Sequence, residues 1–395
     1  MNIFAKHAFL PDSSDWQKDV LVTLDGPTIT AVKHIQFDER QDAKLSANLQ
    51  YEFLIPNYVD LQVNGGGGIL FAEDTLASDL KKVAAVHAQY GSGALLPTLI
   101  THNQTAMHNM ANVVASVLSE SPRGLNYAEP VNGILGVHFE GPWLSTAKKG
   151  IHLAEHIRAP SDAELSCVTR GDLGKVLLTL APETVPVDVI QDLVKQGVTV
   201  AIGHSNATLE QTLAALEAGA TGFTHLYNAM SGLQGRNPGV LGAALGEQET
   251  FAGIIADGHH VSTYALQLAY QTKSADKLVL VTDAMAHAGC NEDVLPYFST
   301  QITRQENRLT TPDGALAGSC LTMHEALLHM HKNVGIKLFD CVKMAGCSPL
   351  DWLGMSHFNA IEKGRSASFI GLDSTLAIQA HWCEGNQVIQ PNSSV

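Results

Sequence analysis

From residue 53 onward, short apolar runs of strand length alternate with segments of helical periodicity. The run 53–63 (FLIPNYVDLQV) precedes DLKKVAAVHAQYG, 93–100 (GALLPTLI) precedes QTAMHNMANVVASVLS, and 131–141 (VNGILGVHFEG) precedes a loop and SDAELSCVTRG. The run 175–183 (KVLLTLAPE) precedes VPVDVIQDLVKQG, and 198–207 (VTVAIGHSNA) precedes TLEQTLAALEAG. Runs at 222–230 (GFTHLYNAM), 251–260 (FAGIIADGHH) and 277–285 (KLVLVTDAM) complete a series of eight. Apolar runs without clean two-residue alternation, separated by helices, are the pattern of a parallel sheet buried on both faces. Eight such units over roughly 250 residues predict an α/β fold, a (β/α)8 barrel of TIM type. An open, doubly wound sheet is the competing layout. The barrel is favoured because Gln62, Glu140, Glu183, His204, His225, His260 and Asp283 fall at or just after the C-terminal ends of nearly every run. In a barrel those ends converge on one mouth.

The flanks read differently. Residues 1–52 contain short β-like pieces such as DVLVTLDGPTITAVKHI, and the tail after residue 364 alternates like exposed strands. We expect residues 1–52 and 365–395 to pair into one small β-sandwich beside a barrel of residues 53–364. No internal repeat or low-complexity segment interrupts this plan.

Composition narrows the function. The 395 residues, 45% hydrophobic, can supply a substantial core. A formal net charge of -15 argues against a nucleic-acid or anionic-membrane partner, because those surfaces need clustered Lys and Arg. Any anionic substrate must meet a local basic pocket. The N-terminus lacks a long apolar segment with a small-residue cleavage site, and no run approaches the roughly 18 apolar residues of a membrane span. A soluble, cytoplasmic protein is expected. The six cysteines show no CxxC pair or disulfide-like spacing, and are expected to be reduced and mostly buried. The 18 histidines invite a search for metal ligands.

Three segments bring such ligands: HFEGPW (138–143), GHSNAT (203–208) and THLYNAM (224–230). A divalent zinc or similar ion takes imidazole nitrogen and carboxylate oxygen, and a catalytic site keeps one position open. Glu140, His204 and His225, at the ends of the third, fifth and sixth runs, would supply that set. Taken singly, each residue is more often a satisfied core or loop group. Their joint placement reverses those odds. Asp283 in LVTDAM could accept a proton from water and then return it to a leaving nitrogen, although the same TDA context also suits a helix N-cap.

The strings IPNYVDLQVNGGGG, GVHFEGPWLS, KKGIH, LAPE, GHSNAT, THLYNAM, the GR pair of LQGRNPG, IADGHHV, LVTDAM and LAGSCLT resemble, in order from about residue 53 to 370, the N-acetylglucosamine-6-phosphate deacetylase family of the amidohydrolase superfamily. The resemblance implies metal-dependent hydrolysis of a phosphorylated amino sugar to free amine and acetate. It implies metal ligation by Glu140, His204 and His225, acid–base work by Asp283, and polarisation of the acetamide carbonyl by His152. Substrate contacts are implied for Ile151, His152, Asn228, Ala229, Arg236, the turn Asp257, Gly258, His259 and His260, and the run Leu316, Ala317 and Gly318. A homodimer is implied too, with the loop bearing Arg236 able to serve a neighbouring site.

The chemistry is coherent with these roles. An amide is a poor electrophile, so the site must strengthen the nucleophile and stabilise the tetrahedral oxyanion. Arg236 offers a planar fork for phosphate and His260 a second donor, although an arginine in such a loop is otherwise a solvated surface group. Two positions depart from the family pattern: His259, where an apolar residue is commoner, and Cys320, where a second serine is often found. Cys320 has no required nucleophilic role. Other readings are N-acetylgalactosamine 6-phosphate or another amide as substrate, and a catalytically silent barrel that binds amino-sugar phosphates.

Binuclear members of the superfamily carry His-x-His on the first strand, where this chain has Gln62 and Asn64. One divalent metal per subunit is therefore expected, zinc first, with iron, cobalt or manganese as alternatives. Gln62 and Asn64 are expected to orient water or ligands through amide hydrogen bonds. The glycines that follow, residues 65–68, do not begin a phosphate-binding GxxxxGK[ST] loop, and are read as a tight turn at the barrel mouth.

Overall fold

In the computed structural model, residues 1–120, 132–356 and 358–389 are described. Residue 131 of the third apolar run and residues 390–395 of the tail lie outside them. The eight runs form eight parallel strands in barrel order: Tyr58–Val63, Ser92–Ile100, Gly136–Glu140, Lys175–Leu180, Thr199–Ile202, Gly222–Phe223, Phe251–Ile255 and Leu278–Val281. We call these strands one to eight. The ring closes at the mouth, where Val63 bridges Ala284 in parallel and the Asp283 amide donates to the Gln62 carbonyl at 3.0 Å. Strand one is buried at all six positions and strand two at all nine, which explains why neither shows two-residue alternation.

Helices follow strands one to seven as the periodicity requires, several starting on a side-chain cap. Asn103 accepts from the Ala106 amide, Ser262 from Ala265, and Thr208 forms a reciprocal pair with Gln211. Each cap satisfies an amide that a helix leaves open at its start. These caps fix the turns from strand end to helix, where the chemistry-bearing residues sit.

Both chain ends meet in one seven-stranded mixed sheet, ordered Asn386–Ile389, Ile378–Cys383, Phe369–Leu372, Leu49–Pro56, Asn2–Ala8, Gln17–Asp25, Thr28–His34. The sheet curls over its own core of Ile3, Val20, Val22, Leu54, Phe369 and Trp382. Its far strand returns to the segment before Phe369, with the Ile29 amide donating to Arg365 O at 2.8 Å and the Ala367 amide to Pro27 O at 2.7 Å. The apolar run 53–63 therefore serves two sheets: Leu49–Pro56 belongs to the flank and Tyr58–Val63 to the barrel.

One element was not anticipated. After strand eight the chain forms a four-stranded antiparallel sheet, Val294–Tyr297, Thr300–Gln305, Arg308–Thr310 and Leu316–Ser319, which leans over the mouth. The alternation in TQITRQENRLTT around the turn at Glu306 and Asn307 was the available signal. All six cysteines are free, but only Cys167 and Cys341 are buried outright. Among the described residues, no helix is long and apolar enough to cross a membrane.

Candidate active site

Glu140 is the last residue of strand three, and His204, His225 and Asp283 each lie two residues beyond strands five, six and eight. These last three adopt left-handed backbone angles, with φ of 46°, 30° and 52°. Such angles cost a non-glycine residue about 1–3 kcal/mol and persist only where the surroundings enforce them. Backbone bonds do so here. Ser145 N donates to His204 O at 2.9 Å, Leu226 N to Gly253 O at 2.7 Å, and Ser319 N to Asp283 O at 2.9 Å. The strained turns bring these three side chains to Glu140, at one point at the mouth.

At that point three potential ligand atoms form a small triangle. Glu140 Oε1 lies 3.2 Å from His204 Nε2 and 3.1 Å from His225 Nε2, and the two nitrogens are 2.9 Å apart. The Lys148 carbonyl, 2.8 Å from His204 Nδ1, fixes the tautomer: Nδ1–H donates to it, leaving the Nε2 lone pair facing the triangle. A carboxylate oxygen and an imidazole lone pair turned toward each other need a cation between them. Edges of 2.9 to 3.2 Å suit donors sharing an ion at ligand distances of about 2.0–2.2 Å. Burial alone would raise the Glu140 pKa, but the surrounding histidines hold its carboxyl well below the usual range. His152 also belongs to this cluster, its ligand atom lying with those of Glu140 and His204 within 4.8 Å of one another.

Asp283 faces the triangle. Its Oδ1 accepts from Asn64 Nδ2 at 2.6 Å and from Gln62 Nε2 at 3.1 Å, and the same Gln62 amide donates to Glu140 Oε1 at 3.1 Å. One NH2 group thus spans both carboxylates, using its two protons. Burial, and then the Glu140 charge, push Asp283 up to about 6. Below it, fully buried Asp60 accepts from the Thr282 hydroxyl and from the Thr282 and Gln62 amides, so one carboxylate ties together the backbone on either side of the ring closure.

His152 sits above, its ring centroid 4.3 Å from that of His204. The Thr101 amide donates to its Nδ1 at 3.3 Å, so the neutral ring carries its proton on Nε2. Burial and the neighbouring His204 push its pKa down to about 3. Arg158 anchors the loop that carries it, binding Glu164 Oε1 at 2.6 Å and the carbonyls of His102 and His156.

The four converging groups line a cavity of about 170 Å³ with Asn64, Ile151, His152, Asn228, Ala229, His260, Leu316 and Gly318. Other residues of the expected set stand apart from that lining. Asp257 clamps its own turn, accepting from the His259 and His260 amides and from His260 Nδ1 at 2.7 Å, while Gly258 and His259 are exposed. Ala317 is buried in an apolar cluster, and Arg236 lies in an exposed loop. Ile100, Ile255 and Met285 line the cavity as well, although nothing apolar at a strand end distinguishes wall from core in sequence. Glu183 is a further residue at the site's edge, accepting from Ser205 Oγ at 2.7 Å and Asn206 N at 2.6 Å just after His204.

The glycines after strand one form a hairpin, Gly65–Gly66 pairing with Ile69–Leu70. A Cβ on Gly65 would lie 2.0 Å from the Ile69 carbonyl oxygen. The amides of Gly67 and Gly68 are spent on Ala288 O and Ala286 O, at 2.7 and 2.8 Å. The segment is zipped to the loop after strand eight.

The amidohydrolase family model matches residues 53–390. A Shewanella sp. (strain ANA-3) protein named N-acetylgalactosamine-6-phosphate deacetylase is 38% identical over 337 residues, 85% of this chain and 83% of its own. A Vibrio furnissii protein named N-acetylglucosamine-6-phosphate deacetylase is 32% identical over 383 residues, covering 96% and 93%. The crystal structure of N-acetylglucosamine-6-phosphate deacetylase from Pasteurella multocida superposes with a TM-score of 0.88 at 30% identity, covering 99% of this chain and 100% of that one. With that breadth of match over a barrel whose mouth gathers a Glu–His–His triangle and a facing aspartate, this chain belongs to the amidohydrolase family.

Proposed function

We propose that the chain hydrolyses N-acetylglucosamine 6-phosphate to glucosamine 6-phosphate and acetate. The observation that carries this reading is the convergence of Glu140, His204 and His225 with Asp283 in one small cavity. The three donors would hold one divalent metal, zinc first, and His225 is preferred over His152 as the third because Thr101 N occupies the His152 Nδ1 lone pair. When bound, the metal acidifies water and polarises the amide carbonyl.

The chain's own residues supply the remaining steps. Asp283 takes a proton from the attacking water at Oδ and passes it to the amide nitrogen as the C–N bond breaks, releasing the amine. Gln62 and Asn64 hold its carboxylate toward the reacting carbon. The His152 Nε2–H donates to the carbonyl oxygen as negative charge builds there. Asn228, Ala229, Ile151, Leu316 and Gly318 border the space for the sugar, and His260, oriented by Asp257, faces it. Among the described residues, no Lys or Arg lines the cavity, so a phosphate calls for a cation from elsewhere. We propose that Arg236 supplies it across a homodimer interface, from its exposed loop, in a cytoplasmic enzyme. The same proposal takes residues 53–364 as the catalytic barrel and residues 1–52 and 365–395 as the flank, with the strand Leu49–Pro56 crossing from one to the other.

A second reading takes N-acetylgalactosamine 6-phosphate as substrate. The 38% identity to the Shewanella deacetylase, against 32% to the Vibrio one, favours it. The two sugars differ only in the configuration of the C4 hydroxyl, and the acetamide chemistry is common to both. The ratio of kcat/KM for the two epimers decides: a ratio above one for the glucosamine derivative supports the first reading, and below one the second.

A further inference from the structure

Among the described residues, six apolar ones line the cavity, Ile100, Ile151, Ala229, Ile255, Met285 and Leu316, and Ile100 and Met285 share a buried cluster of their own. Ile100 ends strand two and Met285 follows strand eight, and strand one lies between those strands in the ring. Both side chains are almost fully buried, at 3% and 1% exposure, and join Tyr297, Ile302, Leu309 and Ala317 in a separate apolar cluster. The ligand-type atoms lie elsewhere on the ring, on strands three, five and six, and the polar sugar-side groups Asn228 and His260 beyond strands six and seven. Ile100 and Met285 therefore give the wall one buried apolar stretch on either side of strand one, whose end also brings Asn64 to the cavity.

A secondary amide is planar and trans, which sends its acyl carbon chain and its nitrogen substituent to opposite sides of the C–N bond. With the carbonyl carbon held between the triangle and Asp283, and the sugar directed to Asn228 and His260, the acyl chain runs away from those two groups, toward the stretch of Ile100 and Met285. The wall there is rigid. Gly318, at φ 57°, approaches so closely that a Cβ would lie 2.6 Å from Met285 Cγ and 2.8 Å from Asp283 O. Tyr297 donates to the Ile151 carbonyl at 3.0 Å and pins the unanticipated sheet against the same cluster.

We propose that Ile100 and Met285 form the floor of an acyl pocket that sets the length of acyl group removed, making the chain selective for acetyl. This rests on the deacylase reading above and adds which residues determine acyl specificity. An apolar pocket discriminates about 10- to 200-fold for each methylene it cannot accommodate.

The test measures kcat/KM for the N-acetyl, N-propionyl and N-butyryl derivatives of the preferred hexosamine 6-phosphate, with metal content and melting temperature of each protein. The wild type is expected to lose about 10-fold or more per added methylene, and Met285→Ala to raise the butyryl-to-acetyl ratio by about 10-fold or more. Ile100→Val, a milder change that preserves the fold if Met285→Ala does not, is expected to raise the propionyl-to-acetyl ratio about 3-fold. A wild type that accepts all three equally, or ratios unchanged in the folded variants, overturns the acyl pocket while leaving the deacylase reading intact. Absence of wild-type turnover on every N-acyl hexosamine phosphate overturns that reading and this inference with it.

Discussion

At the scale of single residues, the site depends on Gln62, whose one amide group holds two buried carboxylates 3.1 Å from it on either side. Gln62→Ala removes that bridge and leaves Glu140 and Asp283 facing each other. Loss of such an outer partner typically costs about 10- to 100-fold in metal affinity or activity. Competition with a chelator measures the affinity, and an unchanged value would show that Gln62 only fills space. Asp283→Asn keeps the shape but removes the base. It should retain metal while kcat falls by about 10²-fold or more, and near-normal turnover would end its acid–base assignment. The chemistry-bearing residues were legible because Glu, His and Asp at the ends of apolar runs stand out in sequence. Not every orienting partner was: the Lys148 carbonyl and Thr101 amide are backbone groups, which carry no residue identity. Ile100 and Met285 escaped notice because an apolar residue at a strand end reads the same whether it packs a core or faces a cavity.

At the scale of elements, the turns after the strands matter more than the strands. The turn after strand five is fixed by Glu183, which binds Ser205 and Asn206 directly beyond the strained His204, and by Ser205 N donating to Ala229 O at 3.1 Å. Glu183→Ala should therefore weaken metal binding about 10- to 100-fold without unfolding the barrel. Unaltered affinity in a folded variant would assign Glu183 to loop stability alone. The eight strands were readable from burial on both faces, since continuous apolar runs of strand length between helices leave few alternatives. The break inside residues 53–63 was not readable, because Leu54 and Ile55 in the flank sheet and Val59 and Leu61 in the barrel are equally buried. The sheet at 294–319 was missed because its strands are short and partly exposed, so no apolar continuity marks them and the alternation is confined to the one hairpin around Glu306 and Asn307.

At the scale of the whole molecule, a buried histidine ties barrel to flank: His381 of the flank sheet donates from Nδ1 to Ala88 O at 2.7 Å, at the end of the first barrel helix. Within the barrel, half-buried His324 places Nδ1 2.8 Å from the Tyr58 hydroxyl on strand one. Burial pushes both down to about 4. The unfolded chain protonates these groups from about pH 6.5 downward, the folded chain only near 4, so the unfolded state binds more protons in between. Stability is expected to be full above about pH 6.5 and to decline as pH falls toward 4. Denaturant unfolding across that range checks this, and His381→Gln should flatten the slope. A second molecular-scale expectation concerns Arg236: Arg236→Ala should raise KM for the phosphorylated sugar far more than for its unphosphorylated counterpart, and equal effects would remove it from phosphate recognition. The pairing of the two chain ends was legible from their alternation, whereas the curl that brings Thr28–His34 back to residues 364–367 arises from sheet twist and leaves no local mark. The central claim, a single metal held by Glu140, His204 and His225 and served by Asp283, is tested most directly by titrating the metal-stripped protein with zinc while following acetate release. Activity should rise linearly and level off at one equivalent per subunit, whereas a requirement for two equivalents, or full turnover with none, would contradict it.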